Sequence, residues 1–174
     1  MKPLSSFPAN DRDGIKVVLT DIDDTLTTDG NLTAAAYTAL ESLHNAGFGV
    51  VPITGRPAGW CDHIARMWPV DGVVGENGAF YFRYDREKRV MEQHYSLSDD
   101  MRFKNTQRLD AIRARVLAEV SGAAVASDQV YRVADLAIDF CEDVPPLSDE
   151  DIARIVSIFE EAGAIAKISS IHVN

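Results

Sequence analysis

Basic residues are in short supply: 17 Lys and Arg stand against 27 Asp and Glu over 174 residues, a formal charge of −10. So acidic a chain excludes nonspecific nucleic-acid binding, which needs a basic surface. It also repels anionic substrates as a whole, so a phosphate ligand would need a local cation. Cysteine is scarcer still. Cys61 and Cys141 are isolated and lack C-x-x-C spacing, which argues against a disulfide framework or a zinc site and predicts buried thiols in a reducing compartment. No apolar run approaches the length of a membrane span, and Met1 to Asp13 lacks the apolar core of a signal peptide. Cytoplasmic residence is the expectation, with no membrane partner. His44, His63, His94 and His172 are scattered, none paired at metal-ligand spacing. Internal repeats and low-complexity tracts are absent as well.

What remains is an ordinary globular composition, 46% hydrophobic and 25% charged, on a chain long enough to bury a core. The first eighty residues alternate strand and helix. Ile15 to Thr20 reads as a strand, Thr33 to Ala46 as a helix stopped by Gly47, and Phe48 to Thr54 as a second strand. Pro57 suits the first turn of another helix, which runs to about Trp68, and Asp71 to Gly75 is a third strand. Short connections of this kind imply right-handed crossovers and a parallel sheet. Beyond Gly75 the pattern changes. Ala79 to Tyr84 and Val90 to Tyr95 form a hairpin around a charged tip, Arg86 through Arg89, and a helix spans roughly Asp99 to Val120. Leu136 to Phe140 reads as a strand, Ser148 with Asp151 as the capping box of a helix closed by Gly163, and Ile165 to Val173 as a last strand. The expected class is α/β: a Rossmann-like parallel core over residues 1–82, followed by an α+β module over 83–174, with the boundary near Tyr81–Arg83.

The chemistry concentrates in Val17-Val18-Leu19-Thr20-Asp21-Ile22-Asp23-Asp24-Thr25-Leu26. An apolar, β-branched run of this sort is a buried parallel strand, and its carboxyl end is where open α/β sheets place ligands. Asp21 and Asp23, two apart, repel unless a cation sits between them or their protonation states differ. The plainer reading is a strand leading into an Asp-rich solvated turn. A second segment, Val50-Val51-Pro52-Ile53-Thr54-Gly55-Arg56-Pro57, offers a threonine hydroxyl, a glycine that lets backbone approach, and a helix N-terminus behind them, together a small anion cradle. Taken alone, a Thr-Gly turn is more often a helix cap. Gly75-Glu76-Asn77-Gly78-Ala79 ends the third strand at the same sheet edge, as a functional turn or as one chosen for its backbone freedom.

Asp21-Ile22-Asp23-Asp24-Thr25, Ile53-Thr54-Gly55-Arg56 and Glu76-Asn77-Gly78-Ala79 together resemble the haloacid dehalogenase-like (HAD) phosphatases. The branch is the one with a large α+β cap after the third strand, which includes sucrose-phosphate phosphatase-like, trehalose-phosphatase-like and Cof-type hydrolases. The resemblance implies a magnesium-dependent phosphatase of a small phosphorylated metabolite, a sugar phosphate. It makes Asp21 the nucleophile and Asp23 the acid and base. Thr54 holds a phosphoryl oxygen, with Asp24, Gly55, Arg56 and Asn77 as substrate-binding candidates. Mg2+ would sit on the Asp21 carboxylate and the Asp23 backbone carbonyl. Asp24 stands where glycine is frequent in this motif. Arg56 is expected to touch substrate or to form a structural salt bridge. Trp60 and Trp68 are expected to pack, and Ser170, His172 and Asn174 to share one face of the last strand, where they could meet sugar hydroxyls.

The family also uses a lysine after the cap and an acidic motif on a fourth core strand, and nothing in this sequence fits either; Lys167 precedes that point. The first strand of such folds lies mid-sheet, so without the later strands its edge would be bare. The expectation is therefore a truncated form with little activity alone, completed by a missing C-terminal segment or a second copy. The alternatives are a phosphomannomutase-like phosphotransferase, a noncatalytic remnant of the fold, and a receiver domain. In the last, the phosphorylated Asp ends the third strand, where this chain has Gly75-Glu76.

Overall fold

The computed structural model describes residues 6–8 and 13–174. Apolar, mostly β-branched residues at 17–19, 50–51 and 73–74 form three neighbouring strands of a sheet. Strands β1 (Val17–Asp21), β4 (Gly49–Ile53) and β5 (Val73–Gly75) run parallel, while β6 (Phe80–Asp85) joins β5 antiparallel and is followed by β7 (Val90–Tyr95). Strand order is β1-β4-β5-β6-β7. The hairpin expected to open a second module instead extends this sheet, because Val73, Val74 and Gly75 pair with Phe82, Tyr81 and Phe80. A small antiparallel pair, β2 (Thr27–Thr28) and β3 (Asn31–Leu32), follows β1 and was not expected.

Helices α1 (Ala34–Asn45) and α2 (Ala58–Met67) are the two crossovers. The chain steps in one direction from β1 to β4 to β5, so right-handed connections put both helices on the same face. That face is closed: Leu40, Cys61, Ile64 and Ala65 of the helices are buried, as are Val50, Val73, Phe80 and Phe82 of the sheet. Phe80 and Phe82 stack at 4.3 Å, and a Cβ on Gly75 would come within 2.3 Å of the Phe80 ring and 2.6 Å of Cys61 Sγ, so only glycine fits there. By the two-residue period of strands, Val17, Leu19, Ile53 and Tyr81 point to the opposite face. They remain 51%, 61%, 38% and 42% exposed.

Two compact units emerge. The first runs to Arg56 and resumes over Trp60–His94; the second is Tyr95–Asn174 with Pro57–Gly59. The division thus follows the hairpin, not the Tyr81–Arg83 boundary read from the sequence, because β6 is held to β5 by sheet pairing. The second unit packs α3 (Asp99–Glu119) and α4 (Asp149–Glu161) against a three-stranded sheet of order β10-β9-β8, with β8 at Ala124–Val125, β9 at Ile138–Asp139 and β10 at His172–Val173. Its core joins Ile112 and Val116 of α3, Ile155, Ile158 and Phe159 of α4, and Ile138 and Val173. Both helices begin as the caps dictate: Ser98 and Ser148 accept from the N–H groups of Met101 and Asp151.

Two strands are shorter than expected, each for a local reason. After Ile138, the buried carboxylate of Asp139 accepts the N–H groups of Cys141, Glu142 and Asp143 and turns the chain away. Burial opposes the charge of Asp139, but those three donors and nearby His172 outweigh it and lower its pKa. At the end, Ser169 Oγ accepts from Ile171 and His172 and reverses the chain, so 165–174 is a tight hairpin closed by Ser169 N–H to the His172 carbonyl, not one strand. Ser170, His172 and Asn174 therefore do not line one strand face. Ser170 is exposed in the turn, and His172 is buried with Nε2 2.9 Å from Glu142 Oε2. Arg132 is a further buried charge, its side chain 3% exposed between Asp128 and Asp135 at 3.0 and 3.1 Å. Desolvation works against its charge, yet the two carboxylates prevail and raise its pKa.

Candidate active site

β1 ends at Asp21, whose register partner is Ile53, the last residue of β4, so the Thr54–Arg56 turn leaves the sheet beside Asp21. Ile53 in turn faces Val74, one residue before Gly75 and the Glu76–Asn77 turn. Parallel pairing thus carries all three sequence motifs to one edge of the first unit. Asp21 is exposed and its Oδ1 accepts the Ile22 N–H at 2.8 Å. The chain then coils tightly, with the Ile22 carbonyl accepting from Thr25, Leu26 and Thr27. Asp24 has φ +57° and its N–H donates to Thr27 Oγ1, so the backbone form that favours glycine is imposed at this position; aspartate is among the residues that tolerate it.

Thr54 is buried. Its N–H donates to the Val74 carbonyl and its Oγ1 accepts the Arg56 N–H, so the hydroxyl shapes its own turn. The Glu76–Asn77 turn is laced to it, with Glu76 N–H to the Arg56 carbonyl and Asn77 N–H to the Thr54 carbonyl. Glu76 and Asn77 both have left-handed backbones, φ +43° and +56°, of the kind that stores strain at functional sites. Gly55 lies under the Asn77 amide: a Cβ there would sit 3.3 Å from Asn77 Oδ1, so the glycine permits this close approach. Glu76 is buried in this turn and was not among the sequence candidates, although its position before Asn-Gly was the available signal.

Arg56 reaches across to Asp23. Its Nη2 donates to Asp23 Oδ1 at 2.7 Å, and its Nε lies 3.2 Å from both carboxylate oxygens. The guanidinium also lies over the Trp60 ring, 4.6 Å from the centroid, and Trp60 is 47% exposed instead of packed in the core. Asp21, Asp23, Asp24, Thr54, Gly55, Arg56 and Asn77 thus all belong to one unit. Cys61 is buried, as expected of a structural thiol, while Cys141 is partly exposed. Among the described residues no cluster of three or more His, Cys, Asp or Glu could hold a metal, and no helix is long and apolar enough to cross a membrane.

The fold recurs in known structures. A Thermoplasma acidophilum protein shares 16% identity at a TM-score of 0.69, covering 91% of this chain and 64% of its own length. ATP-bound IMP-nucleotidase of Plasmodium falciparum shares 10% at 0.61, covering 92% and 45%. A sugar phosphatase of HAD subclass IIB shares 15% at 0.52, covering 92% and 70%. The chain thus spans about two thirds or less of the first two. No curated protein matches it. The family model for haloacid dehalogenase-like hydrolases matches residues 18–135, from the first strand into the second unit, ending before β9. The chain belongs to the haloacid dehalogenase-like hydrolase family.

Proposed function

We propose that this chain carries the phosphoryl-transfer residues of a phosphatase acting on a small phosphorylated metabolite, with sugar phosphates as the substrate class. The observation that carries the reading is the register of Asp21 with Ile53, which sets Asp21 beside the Thr54–Gly55 turn, where Arg56 meets Asp23. Asp21 attacks phosphorus and forms an aspartyl-phosphate. Asp23 gives a proton to the departing oxygen, then takes one from the water that hydrolyses the intermediate. Thr54, Gly55 and Asn77 bound the phosphoryl oxygens, and Asp24 shapes the turn beside them. The sugar-phosphate class follows the resemblance of the motifs, and one structural neighbour is a sugar phosphatase.

Mg2+ is the cofactor of this reading. The donor set fits: the Asp21 carboxylate is exposed and the Asp23 carbonyl accepts no described hydrogen bond, both hard oxygens. Magnesium needs only one or two such groups because it keeps waters and binds substrate phosphate. Bound there, it offsets charge between nucleophile and phosphate. Activity of these 174 residues alone is expected to be low. The exposed row along β1 calls for cover by a further polypeptide segment or a second copy, and residence in the cytoplasm accords with a chain of only two cysteines, which lack C-x-x-C spacing.

The test is chemical trapping. The protein is mixed with p-nitrophenyl phosphate and Mg2+, quenched in acid and reduced with borohydride, which converts an acyl phosphate to an alcohol. Mass spectrometry should find Asp21 reduced, and Asp21→Asn should abolish both the label and the turnover. Turnover that survives in Asp21→Asn would remove the proposal. Brisk Asp21-dependent turnover by the chain alone would show that no further segment is needed.

A further inference from the structure

We infer that Arg56 is a positioning residue for Asp23: it holds the acid and base in line with the departing oxygen and does not bind substrate phosphate. The inference rests on the phosphatase reading above. The Arg56–Asp23 pair is only half-buried, with side chains 29% and 42% exposed, and ion pairs of that exposure add little to stability. Its geometry is nonetheless fixed from three sides. The Arg56 N–H is held by Thr54 Oγ1, the Arg56 carbonyl by the Glu76 N–H, and the guanidinium plane by the Trp60 ring. A planar fork restrained in this way holds a carboxylate in one orientation, which an ammonium cannot do.

The contacts are also unequal. Asp23 Oδ1 receives Nη2 at 2.7 Å and Nε at 3.2 Å, whereas Oδ2 receives only Nε at 3.2 Å. The geometry assigns Oδ1 as the anchored oxygen and Oδ2 as the one that carries the proton. In the first half-reaction the Asp21 oxygen–phosphorus bond forms and the ester oxygen–phosphorus bond breaks, while the Oδ2 proton passes to the ester oxygen. In the second, the water oxygen bonds to phosphorus and the Asp21 oxygen leaves, and a water proton returns to Oδ2. Phosphate and alcohol are released and Asp23 ends as it began. Trp60 gains a role here that explains its exposure: it is the platform for Arg56.

The experiment exploits leaving groups. A nitrophenolate departs without a proton and a sugar alkoxide does not, so loss of orientation at Asp23 must penalise the sugar ester selectively. Arg56→Gln should lower kcat for a hexose 6-phosphate by about 100-fold, the scale of general acid catalysis, and kcat for p-nitrophenyl phosphate by less than about 5-fold. KM should change little for either. Arg56→Lys, which keeps the charge without the fork, should recover part of the sugar-ester rate, and Trp60→Ala should reproduce the selectivity at smaller amplitude. Equal losses on both esters with a raised KM would make Arg56 a substrate ligand and overturn the inference, as would no loss on either. Failure of the phosphatase reading is recognised separately, by an absent Asp21 label in the trapping experiment, and turnover too low to compare variants does not decide it. The clamp is then read by the Arg56 Nε–H signal in NMR. A slowly exchanging signal that disappears in Asp23→Asn supports the clamp, and a freely exchanging one excludes it.

Discussion

In the second unit Ile138, Ile155, Ile158 and Phe159 give up nearly all their surface to one cluster, whereas in the first Val17 and Leu19 of β1 keep half or more of theirs. By composition the two sets are alike, and both read as core. The difference lies in what stands opposite. The second unit closes α3 and α4 over its small sheet, but among the described residues of the first the two crossover helices cover one face of the sheet, because both crossovers share a hand and a direction. An apolar strand therefore announces that it can be buried, and the layer above it decides whether it is. Asp21 stands in the same exposed row as Val17 and Leu19, so the face that lacks cover is also the face that carries the proposed nucleophile.

Substitutions can sharpen this contrast. Phe159→Ala in the closed core should cost about 3–5 kcal/mol in urea or guanidinium unfolding, the usual loss for a buried ring. Arg132→Ala should follow at about 3 kcal/mol, because it leaves Asp128 and Asp135 facing each other with little solvent. A smaller, pH-dependent effect belongs to the ring of charges that joins α3 to α4. Arg115 pairs with Glu119 and Glu161 at 2.6 Å each, and Arg154 pairs with the same two glutamates. Arg115, Ser157 and Arg154 hold Glu161 down to about 2 from its ordinary 4.5. A depressed carboxylate stabilises the fold above its unfolded value, so this contribution is complete above 4.5 and is lost as pH falls toward about 2. Glu161→Gln should flatten thermal stability across that window and leave the remaining acid sensitivity in place. Smallest of all, Leu19→Ala should shift stability by no more than about 0.5 kcal/mol, because the side chain is already in water. Leu19→Lys should diminish self-association in sedimentation if the bare row is what draws copies together. A large stability loss at Leu19 would mean that this face is covered after all, and the contrast between the units would collapse.

Much of this architecture is legible in the residues. Thr33, Ser98 and Ser148 open three helices as N-caps, Gly47 and Gly163 follow the C-terminal ends of α1 and α4 with positive φ, and the three parallel strands lie where their β-branched runs placed them. These are local signals that act over three or four residues. The errors are of the opposite kind. The hairpin at 80–95 looked like the start of a new module because nothing in its sequence states which strand it pairs with; Val73–Gly75 decided that. The run 165–173 looked continuous, but Ser169 accepts two N–H groups and folds it back. Arg56 was legible as a candidate site residue, while its pairing with Asp23 depended on where the β1 loop sits. Trp60 was expected to pack, and its contact with Arg56 accounts for its exposed position.

The sequence by itself determined the main helices and parallel strands, the family and the identity of the acidic pair, since each is written in short-range patterns of charge, size and backbone tolerance. Only the tertiary structure decided that Asp23 is clasped by Arg56, that the hairpin belongs to the large sheet, and that β1 stands exposed at its edge. Those outcomes depend on which strands pair and which face each crossover covers, and such long-range choices leave no mark within any one stretch of chain.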